Sequence, residues 1–264
     1  MLLDGKVAVI HGGGGSIGAA TARVFAREGA RLHLAGRSLP RLERAAAAAR
    51  DAGASEVSIA VVDAMRQDEV DAHVDAVAME AGTVDIALNA VGFDHVQGLA
   101  IADTSLEDYL HPTVGYLTTN FVTAKAASRV MLAQGHGVIL TISTPGARLT
   151  GRGLIGNAAQ SAGLEGFSRA LAGELGPGGV RVVCVRPHAF RDASESYTMD
   201  MFGRIADGGG GTLDDWWDGL ESTTLLGRLP VLDEVAEYLA FAASDRAASM
   251  TGGIANLTAG ALVD

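Results

Sequence analysis

The chain alternates short runs of apolar and β-branched residues with stretches of helical periodicity, and this alternation limits its fold more than any other feature. Strands that alternate with helices form parallel sheets that are covered on both faces. No repeat or linker divides the series, so the sequence predicts one α/β domain over residues 1–264, with a doubly wound, seven-stranded parallel sheet and helices on both faces. Strands are predicted over 7–10, 32–35, 57–62, 86–89, 138–142, 180–185 and 254–257, and helices from Ile17 and over 41–50, 67–81, 116–133 and 158–175.

The segment 190–227 breaks this alternation. It contains no predicted strand, and the four glycines of 208–211 precede an acidic stretch that holds Trp216 and Trp217. A long irregular segment in a compact domain commonly serves as a lid or a binding loop. Two adjacent tryptophans on a bare surface excursion would leave apolar area exposed without a partner. We therefore expect a substrate lid here, with a surface excursion as the alternative.

Charge and cysteine content exclude several classes of protein. The 20 basic and 31 acidic residues give a net charge of −11, which would repel a nucleic-acid backbone. Cys184 is the only cysteine, so no disulfide can form within the chain. The N-terminus lacks the layout of a signal peptide, and no apolar run approaches the length of a membrane span. We expect a cytoplasmic protein that binds neither nucleic acid nor membrane, and we predict no metal site.

A glycine-rich loop, Gly12 to Gly15, connects the first predicted strand to the helix that follows it. Small residues at this place let backbone N–H groups approach a pyrophosphate, and a helix N-terminus favours the negative charge. A glycine-rich loop alone also fits a plain tight turn, but the strand before it and the helix after it favour a dinucleotide site. The sequence therefore predicts a Rossmann-type fold.

This loop resembles the Thr-Gly-x-x-x-Gly-x-Gly motif of the short-chain dehydrogenases and reductases, and the resemblance covers nearly the whole chain. His11 replaces the threonine of the motif, and Ser16 replaces its middle glycine. The run Asn89-Ala90-Val91-Gly92 is similar to the Asn-Asn-Ala-Gly signature of the family. The resemblance implies a cofactor site formed by Gly12, Gly15, Ser16, Ile17, Gly18, Arg37, Asp63, Ala64, Asn89, Ala90, Val91 and Pro187.

The end of the second predicted strand bears on the choice of cofactor. An acidic residue at the position of Gly36 would hold the ribose 2′-hydroxyl of NAD and repel a 2′-phosphate. This chain has no acid there, and the guanidinium of Arg37 follows as a natural partner for that phosphate. NADP is therefore favoured over NAD. The alternative is that Arg37 is an exposed charge beside a helix.

The expected catalytic residues are only partly present. In the family, an Asn, a Ser, a Tyr and a Lys form the active site, and the Tyr donates the proton. Asn120 matches the first position, and Thr144 takes the place of the serine. The tyrosine and lysine positions hold Asn157 and Ser161, neither of which titrates near neutral pH. Because a positioned general acid contributes about 10²–10⁴ in rate, another donor must act or the reaction must differ.

Two histidines are candidates for that donor. His95 follows the fourth predicted strand at the expected mouth of the substrate site and is the first candidate, since imidazole suits proton transfer near neutral pH. His188 follows Pro187 and is the second. The alternative for each is a pocket-wall or loop residue without chemistry, and Tyr116 and His111 share that status. The pocket is expected to hold a small apolar organic molecule between Phe93, His95, Pro145, Leu149, Leu154, His188 and the 190–227 segment.

Three functional hypotheses remain open at this point. The first is an atypical NADP(H)-dependent oxidoreductase that transfers hydride between a carbonyl and an alcohol with a non-standard proton donor. The second is a catalytically inactive protein that still binds the cofactor, and the third is a lyase or isomerase that uses the same pocket without redox chemistry. The resemblance also implies a homotetramer or homodimer.

Overall fold

The computed structural model describes residues 1–151, 153–193, 201–203, 205 and 211–263. Strands and helices alternate over most of this length, as the sequence predicts. The strands are β1 (Val7–His11), β2 (Arg31–Gly36), β3 (Val57–Val61), β4 (Ile86–Asn89), β5 (Gly137–Ile142), β6 (Val180–Pro187) and β7 (Ile254–Leu257). The helices are α1 (Ser16–Arg27), α2 (Leu39–Asp51), α3 (Gln67–Ala81), α4 (Leu106–Gln134), α5 (Ile155–Leu175), α6 (Leu213–Ser222) and α7 (Leu232–Ala243).

All seven strands belong to one sheet in the order β3-β2-β1-β4-β5-β6-β7. Every neighbouring pair is parallel, and β1 lies between β2 and β4 with Val9 opposite His33 and Ala87. This confirms the predicted fold class. The strand order reverses between β1 and β4, and parallel sheets of this kind bind ligands at the carboxyl edge of that reversal.

Two apolar layers hold the helices on the two faces of the sheet. One layer packs α1, α2 and α7 against the sheet, with Phe25 fully buried in it. The other packs α3, α4 and α5 against the opposite face around Met131. Cys184 of β6 is fully buried, and this burial raises the pKa of its thiol to about 11, so it is a structural residue. No helix of the described chain has both the length and the hydropathy to cross a membrane.

Helix α4 begins ten residues earlier than the sequence predicts. Pro112 lies inside it, and proline normally marks a helix start or a break. The helix instead begins after Ser105, whose hydroxyl caps it by accepting the backbone N–H of Asp108 at 3.0 Å. Helix α5 likewise begins at Ile155 rather than at 158, which places Asn157 within its first turn.

The expected lid segment contains a helix, α6, where the sequence analysis foresaw irregular structure. Thr212 and Asp215 form a capping box at its start, with the Thr212 hydroxyl accepting the Asp215 N–H at 3.1 Å. Trp217 is 1% exposed, and Trp216 stacks on Phe202 with ring centroids 4.0 Å apart. Both tryptophans are therefore packed, as expected, but they lie on a regular helix and not in an irregular loop. Residues 194–200, 204 and 206–210 of this segment lie outside the described residues.

A second contact fastens α6 to the rest of the domain. Arg191, just beyond β6, forms ion pairs with Asp214 at 2.9 Å, Asp218 at 3.2 Å and Glu221 at 3.5 Å. These three acids lie at i, i+4 and i+7 and so share one face of the helix. Helix α6 is thus held by an aromatic cluster on one face and by Arg191 on another.

Candidate active site

A cavity of about 490 Å³ opens at the carboxyl edge of the sheet, where the strand order reverses. Its wall includes the glycine-rich loop, the ends of β4, β5 and β6, the start of α5 and part of α6. Most of the sequence-predicted site residues meet here: Gly15, Ser16, Ile17, Asn89, Ala90, Val91, His95, Asn120, Thr144, Asn157, Pro187 and His188.

The glycine-rich loop is folded tightly against the end of β4. Gly12 has φ +80°, and a Cβ there would lie 2.5 Å from the carbonyl oxygen of Ala90. A Cβ on Gly18 would lie 2.2 Å from the carbonyl oxygen of Gly12, so both positions require glycine. Ser16 is the first residue of α1 and has right-handed backbone, so its side chain causes no strain. The loop geometry therefore fits a pyrophosphate at the N-terminus of α1.

The residues predicted for the adenosine half lie outside this cavity. Arg37 is exposed just after β2, and Ala64 is buried after β3. The Asp63 carboxylate accepts the backbone N–H of Met65 at 3.0 Å. The sequence analysis did not select Arg41, which lines the cavity on the first turn of α2. Arg41 is a second basic residue within one helical turn of the start of α2, close in sequence to Arg37, and this was the available signal.

Asn89 ties the end of β4 to α4. Its Nδ2 donates to the Thr123 hydroxyl at 3.0 Å, and its Oδ1 accepts the backbone N–H of Val91 at 3.0 Å. These bonds fix the backbone of 89–91, which lines the cavity beside the glycine-rich loop.

Three hydroxyl and amide side chains form a cluster between β5 and α5. The Thr144 hydroxyl donates to Asn157 Oδ1 at 2.9 Å, and its oxygen lies 2.8 Å from Ser161 Oγ. Since Thr144 has one proton and gives it to Asn157, Ser161 is the donor in the second bond. With its oxygen turned to Thr144, the Asn157 amide carries its two N–H groups on the other side, and Asn157 lines the cavity. Ser161 is 1% exposed and sits behind Thr144.

A buried ion pair supports this cluster from below. Glu165, one turn after Ser161, accepts from Arg186 Nε at 2.7 Å and from Arg186 Nη2 at 3.0 Å. The Ser143 hydroxyl donates to the same carboxylate at 2.8 Å. These bonds join β5, β6 and α5 just beneath the cavity. The sequence analysis overlooked the pair, although a carboxylate among the small and apolar residues of α5 was a signal.

Asn120 lies deeper in the cavity, on α4. Its Nδ2 donates to the backbone oxygen of Tyr116 at 2.9 Å, one turn earlier. The Tyr116 hydroxyl accepts the backbone N–H of Phe93 at 3.3 Å and also lines the cavity. Phe93, expected in the wall, instead packs behind it, with its ring 5.2 Å from that of Tyr116 and 6.1 Å from that of His111. The ring packs on α4 at Gly115, where a Cβ would lie 2.8 Å from it.

Both ring nitrogens of His95 are engaged by nearby groups. Nδ1 lies 3.0 Å from the carbonyl oxygen of Phe93, which can only accept, so Nδ1 carries the proton. Nε2 lies 2.7 Å from Gln97 Nε2, which donates to it. Burial lowers the pKa of His95. His95 is therefore a neutral ring that has no N–H directed at the cavity.

His188 has the opposite tautomer. Its Nδ1 accepts the backbone N–H of Ala189 at 2.7 Å, so the ring proton is on Nε2. Burial lowers the pKa of His188 to about 4. His188 lines the cavity and carries its N–H on Nε2, whereas the N–H of His95 is bonded to the Phe93 carbonyl. Of the two histidines, the geometry favours the second candidate of the sequence analysis.

The remaining wall is apolar and carries little charge. Within the described chain, Arg41 at the cofactor end is the one charged residue that lines the cavity. In the same part of the chain, no group of three or more His, Cys, Asp or Glu side chains is placed to hold a metal. The apolar wall comes from both sides of the cavity mouth: Pro145, Leu149, Leu154, Phe190, Met201, Phe202, Ile205, Trp216 and Leu220.

Comparisons with known proteins find relatives that match nearly the whole chain. The family model described as enoyl-(acyl carrier protein) reductase matches residues 13–261. The chain is 30% identical over 259 residues to 3-oxoacyl-[acyl-carrier-protein] reductase FabG of Chlamydia muridarum, with 98% of each chain covered. It is 34% identical over 258 residues to D-threitol dehydrogenase of Mycolicibacterium smegmatis, covering 95% of this chain and 90% of the relative. The crystal structure of NAD⁺-bound xylitol dehydrogenase is similar with a TM-score of 0.91 and 23% identity, over 98% of this chain and 100% of that one.

Proposed function

The chain belongs to the short-chain dehydrogenase/reductase family of NAD(P)-dependent oxidoreductases, and on that premise we propose that it interconverts a carbonyl and an alcohol with NADP(H) and a non-standard proton donor. One observation carries the proposal. The cavity that begins at the glycine-rich loop is lined by both Asn157 and His188, whose remaining side-chain donors are an amide NH₂ and an Nε2–H. Both groups donate hydrogen bonds to oxygen, which is what a reacting carbonyl needs.

The polar side chains have distinct roles in this proposal. Asn157, held by Thr144, donates an N–H to the substrate oxygen and stabilises the negative charge that develops on it. His188 donates from Nε2 to the same oxygen. When the ring is also protonated at Nδ1, which breaks the Ala189 N–H bond, it delivers the Nε2 proton to that oxygen and keeps the proton on Nδ1. Neither role requires the amide of Asn157 to titrate. The bound cofactor supplies the hydride in reduction and accepts it in oxidation.

The choice of NADP rests on charge at the end of β2. Gly36 provides no carboxylate to hold a ribose 2′-hydroxyl, and Arg37 and Arg41 are two guanidinium groups near that place. A guanidinium binds a phosphate with two parallel hydrogen bonds, which favours the 2′-phosphate of NADP. The similar structure of xylitol dehydrogenase holds NAD⁺. The KM values of this protein for NADPH and NADH therefore test the choice.

The substrate proposed is a small neutral organic molecule with an apolar body. The cavity end away from Arg41 is lined by aliphatic and aromatic side chains, including Trp216 and Phe202. A phosphate or carboxylate buried there would have no cationic partner among the described lining residues, and burying an unpaired charge is strongly unfavourable. Relatives that act on an acyl carrier protein or on a sugar alcohol therefore suggest the reaction type, while the wall favours less polar ketones and alcohols.

The experiment follows NADPH oxidation with a panel of neutral cyclic and aromatic ketones, at pH values from 5.5 to 7.5. Because burial lowers the pKa of His188 to about 4, its protonated fraction rises about tenfold for each pH unit of acidification in this range. We expect kcat/KM for reduction to rise by the same factor, and His188→Gln to abolish the slope. His111→Gln, an exposed histidine, is the matched control.

Other outcomes distinguish the competing hypotheses. A pH-independent rate in the wild type would show that His188 is not the donor. Tight NADPH binding without turnover across the panel would favour an inactive cofactor-binding protein, and turnover of a substrate without nicotinamide oxidation would favour a lyase or isomerase. If the double variant Asn157→Tyr with Ser161→Lys gains reductase activity that the wild type lacks, the inactive-protein hypothesis is supported. If it destroys an existing activity, that hypothesis fails.

We also propose a homodimer or homotetramer. Helix α4 exposes apolar side chains along its length, among them Leu106 at 71% exposure, Val114 at 50% and Phe121 at 52%. Exposed apolar residues of this size in one surface region are typical of subunit contacts. Size-exclusion chromatography with light scattering measures the mass directly, and a monomer at micromolar concentration would contradict the proposal.

A further inference from the structure

A second, very small cavity lies behind Asn120, between α4 and the ends of β1, β4 and β5. Its volume is about 10 Å³, close to that needed for one water molecule. Its polar lining consists of His11, Asn89, Asn120, Thr123 and Thr141. Asn89 and Asn120 line both cavities, so these two residues lie between them.

Hydrogen-bond accounting singles out two of these residues. Thr123 donates to the Thr119 carbonyl at 2.8 Å and accepts from Asn89, and Thr141 is bonded to Ser168 at 2.8 Å. In contrast, Asn120 Oδ1 and both ring nitrogens of His11 are buried without a hydrogen-bond partner in the described chain. His11 is 2% exposed and Asn120 is 3% exposed. Burying such groups unpaired is unfavourable, so native proteins pair them with other protein groups or with ordered water.

We propose that this cavity binds one water molecule that links Asn120 Oδ1 to a ring nitrogen of His11. The water donates one O–H to the amide oxygen, which can only accept, and its second hydrogen bond goes to the ring. Burial lowers the pKa of His11 to about 3, so the ring is neutral and has one N–H donor and one acceptor nitrogen. Either nitrogen suits water, which donates and accepts equally well. Thr123 also lines this cavity.

This water connects the end of β1 with α4. His11 is the last residue of β1 and leads directly into the glycine-rich loop, and its carbonyl accepts the Ala90 N–H at 2.8 Å. Asn120 is held on its other side by the Tyr116 carbonyl. The bridge therefore fixes the Asn120 amide in one orientation and couples α4 to the strand that carries the phosphate loop. His11 is a positioning residue that acts through the water.

The first measurement is a crystal structure of the wild type at about 1.5 Å resolution or better. We expect a spherical density peak within 2.6–3.2 Å of Asn120 Oδ1 and of a His11 ring nitrogen. A dry cavity would overturn the proposal. In the structure of His11→Leu, the Asn120 amide should rotate so that Oδ1 leaves the cavity, whereas an unchanged Asn120 would show that His11 does not position it.

Stability provides an independent test, because the sign of the change differs between a wet and a dry cavity. If water bridges the site, His11→Leu removes the water's second hydrogen-bond partner. The Asn120 Oδ1 atom is then left without a fixed water, and the urea midpoint falls at pH 8. If the cavity is dry, the same change removes two unpaired buried nitrogens and raises the midpoint. His11→Gln keeps a donor and an acceptor and should recover part of the loss. In the double variant His11→Leu with Asn120→Leu, the urea midpoint should fall by less than the sum of the decreases in the two single variants. A decrease equal to that sum would contradict the bridge. None of these readouts depends on enzymatic activity.

Discussion

Acidification should destabilise this protein through its buried histidines, and His11 allows the size of the effect to be worked out. Burial lowers the pKa of His11 from 6.5 to about 3, with a smaller contribution from His73 nearby. Between these two values the unfolded chain binds a proton that the folded chain does not. Stability from this group is therefore complete above pH 6.5 and is lost as the pH falls.

The magnitude follows from the distance between the pH and the unfolded pKa. At pH 5 the unfolded histidine lies 1.5 pH units below 6.5, and at about 1.36 kcal/mol per unit the loss is about 2 kcal/mol. Burial also lowers the pKa of His73 and that of His188 to about 4 each, so each adds a loss of similar size. A total of about 6 kcal/mol is a large part of the stability of an ordinary domain, which is about 5–15 kcal/mol.

Urea unfolding at pH 8, 6 and 5, followed by far-UV circular dichroism without cofactor, measures this loss. We expect the free energy of unfolding to fall steeply below pH 6.5. His11→Leu should reduce the loss between pH 8 and pH 5 by about 2 kcal/mol, while His111→Leu, at an exposed position, should leave it unchanged. A free energy of unfolding that stays flat down to pH 5, or a His11→Leu variant that loses as much as the wild type, would refute the argument.

Three further predictions concern other parts of the molecule. Glu165→Ala leaves the buried Arg186 guanidinium without its carboxylate and should lower the free energy of unfolding by about 3–5 kcal/mol in urea melts, whereas Glu174→Ala on the exposed face of the same helix should have little effect. Arg37→Ala should raise the KM for NADPH by about 10- to 100-fold and that for NADH far less, because it removes a charged hydrogen-bond donor from the 2′-phosphate alone; equal changes for both cofactors would refute this role. Arg191→Ala removes the ion pairs that hold α6 and should raise the substrate KM a few-fold at low salt. At 0.5 M NaCl it should change the KM little, because exposed ion pairs are weak and are screened by salt. An effect on KM that does not depend on salt would contradict an electrostatic role.

The sheet and most helices follow from the sequence because their signals are local. Helix α3 runs from Gln67 to Ala81 in both the prediction and the structure, since Gly82 ends it in the left-handed conformation with φ 80°. The start of α4 was misplaced because Pro112 is a local signal for a break, and the packing of the helix outweighs it. Helix α6 was missed because the glycines before it dominate the local pattern. The capping box of Thr212 and Asp215 was the signal for it.

The sequence predicts which residues form the candidate site, but it does not predict which ring nitrogen of each histidine carries the proton. The resemblance to the family places Thr144, Asn157 and His188 at one edge of the sheet, and all three line the cavity there. The preference for His95 could not be corrected from sequence, because it depends on which ring nitrogen meets a carbonyl and which meets an amide. Those partners, Phe93 and Gln97, are fixed by the path of one loop. The Glu165–Arg186 pair likewise depends on tertiary contact between α5 and β6.

Helix α6 also carries all of the tryptophan fluorescence of the molecule. The chain has two tryptophans, and both lie in this helix, Trp216 on the cavity wall and Trp217 buried behind it. Excitation at 295 nm therefore reports on this one element without any label. A substrate that enters the cavity replaces water or apolar neighbours at Trp216, and loosening of the helix would expose Trp217 to solvent. Intrinsic fluorescence can thus screen for ligands before any turnover assay exists.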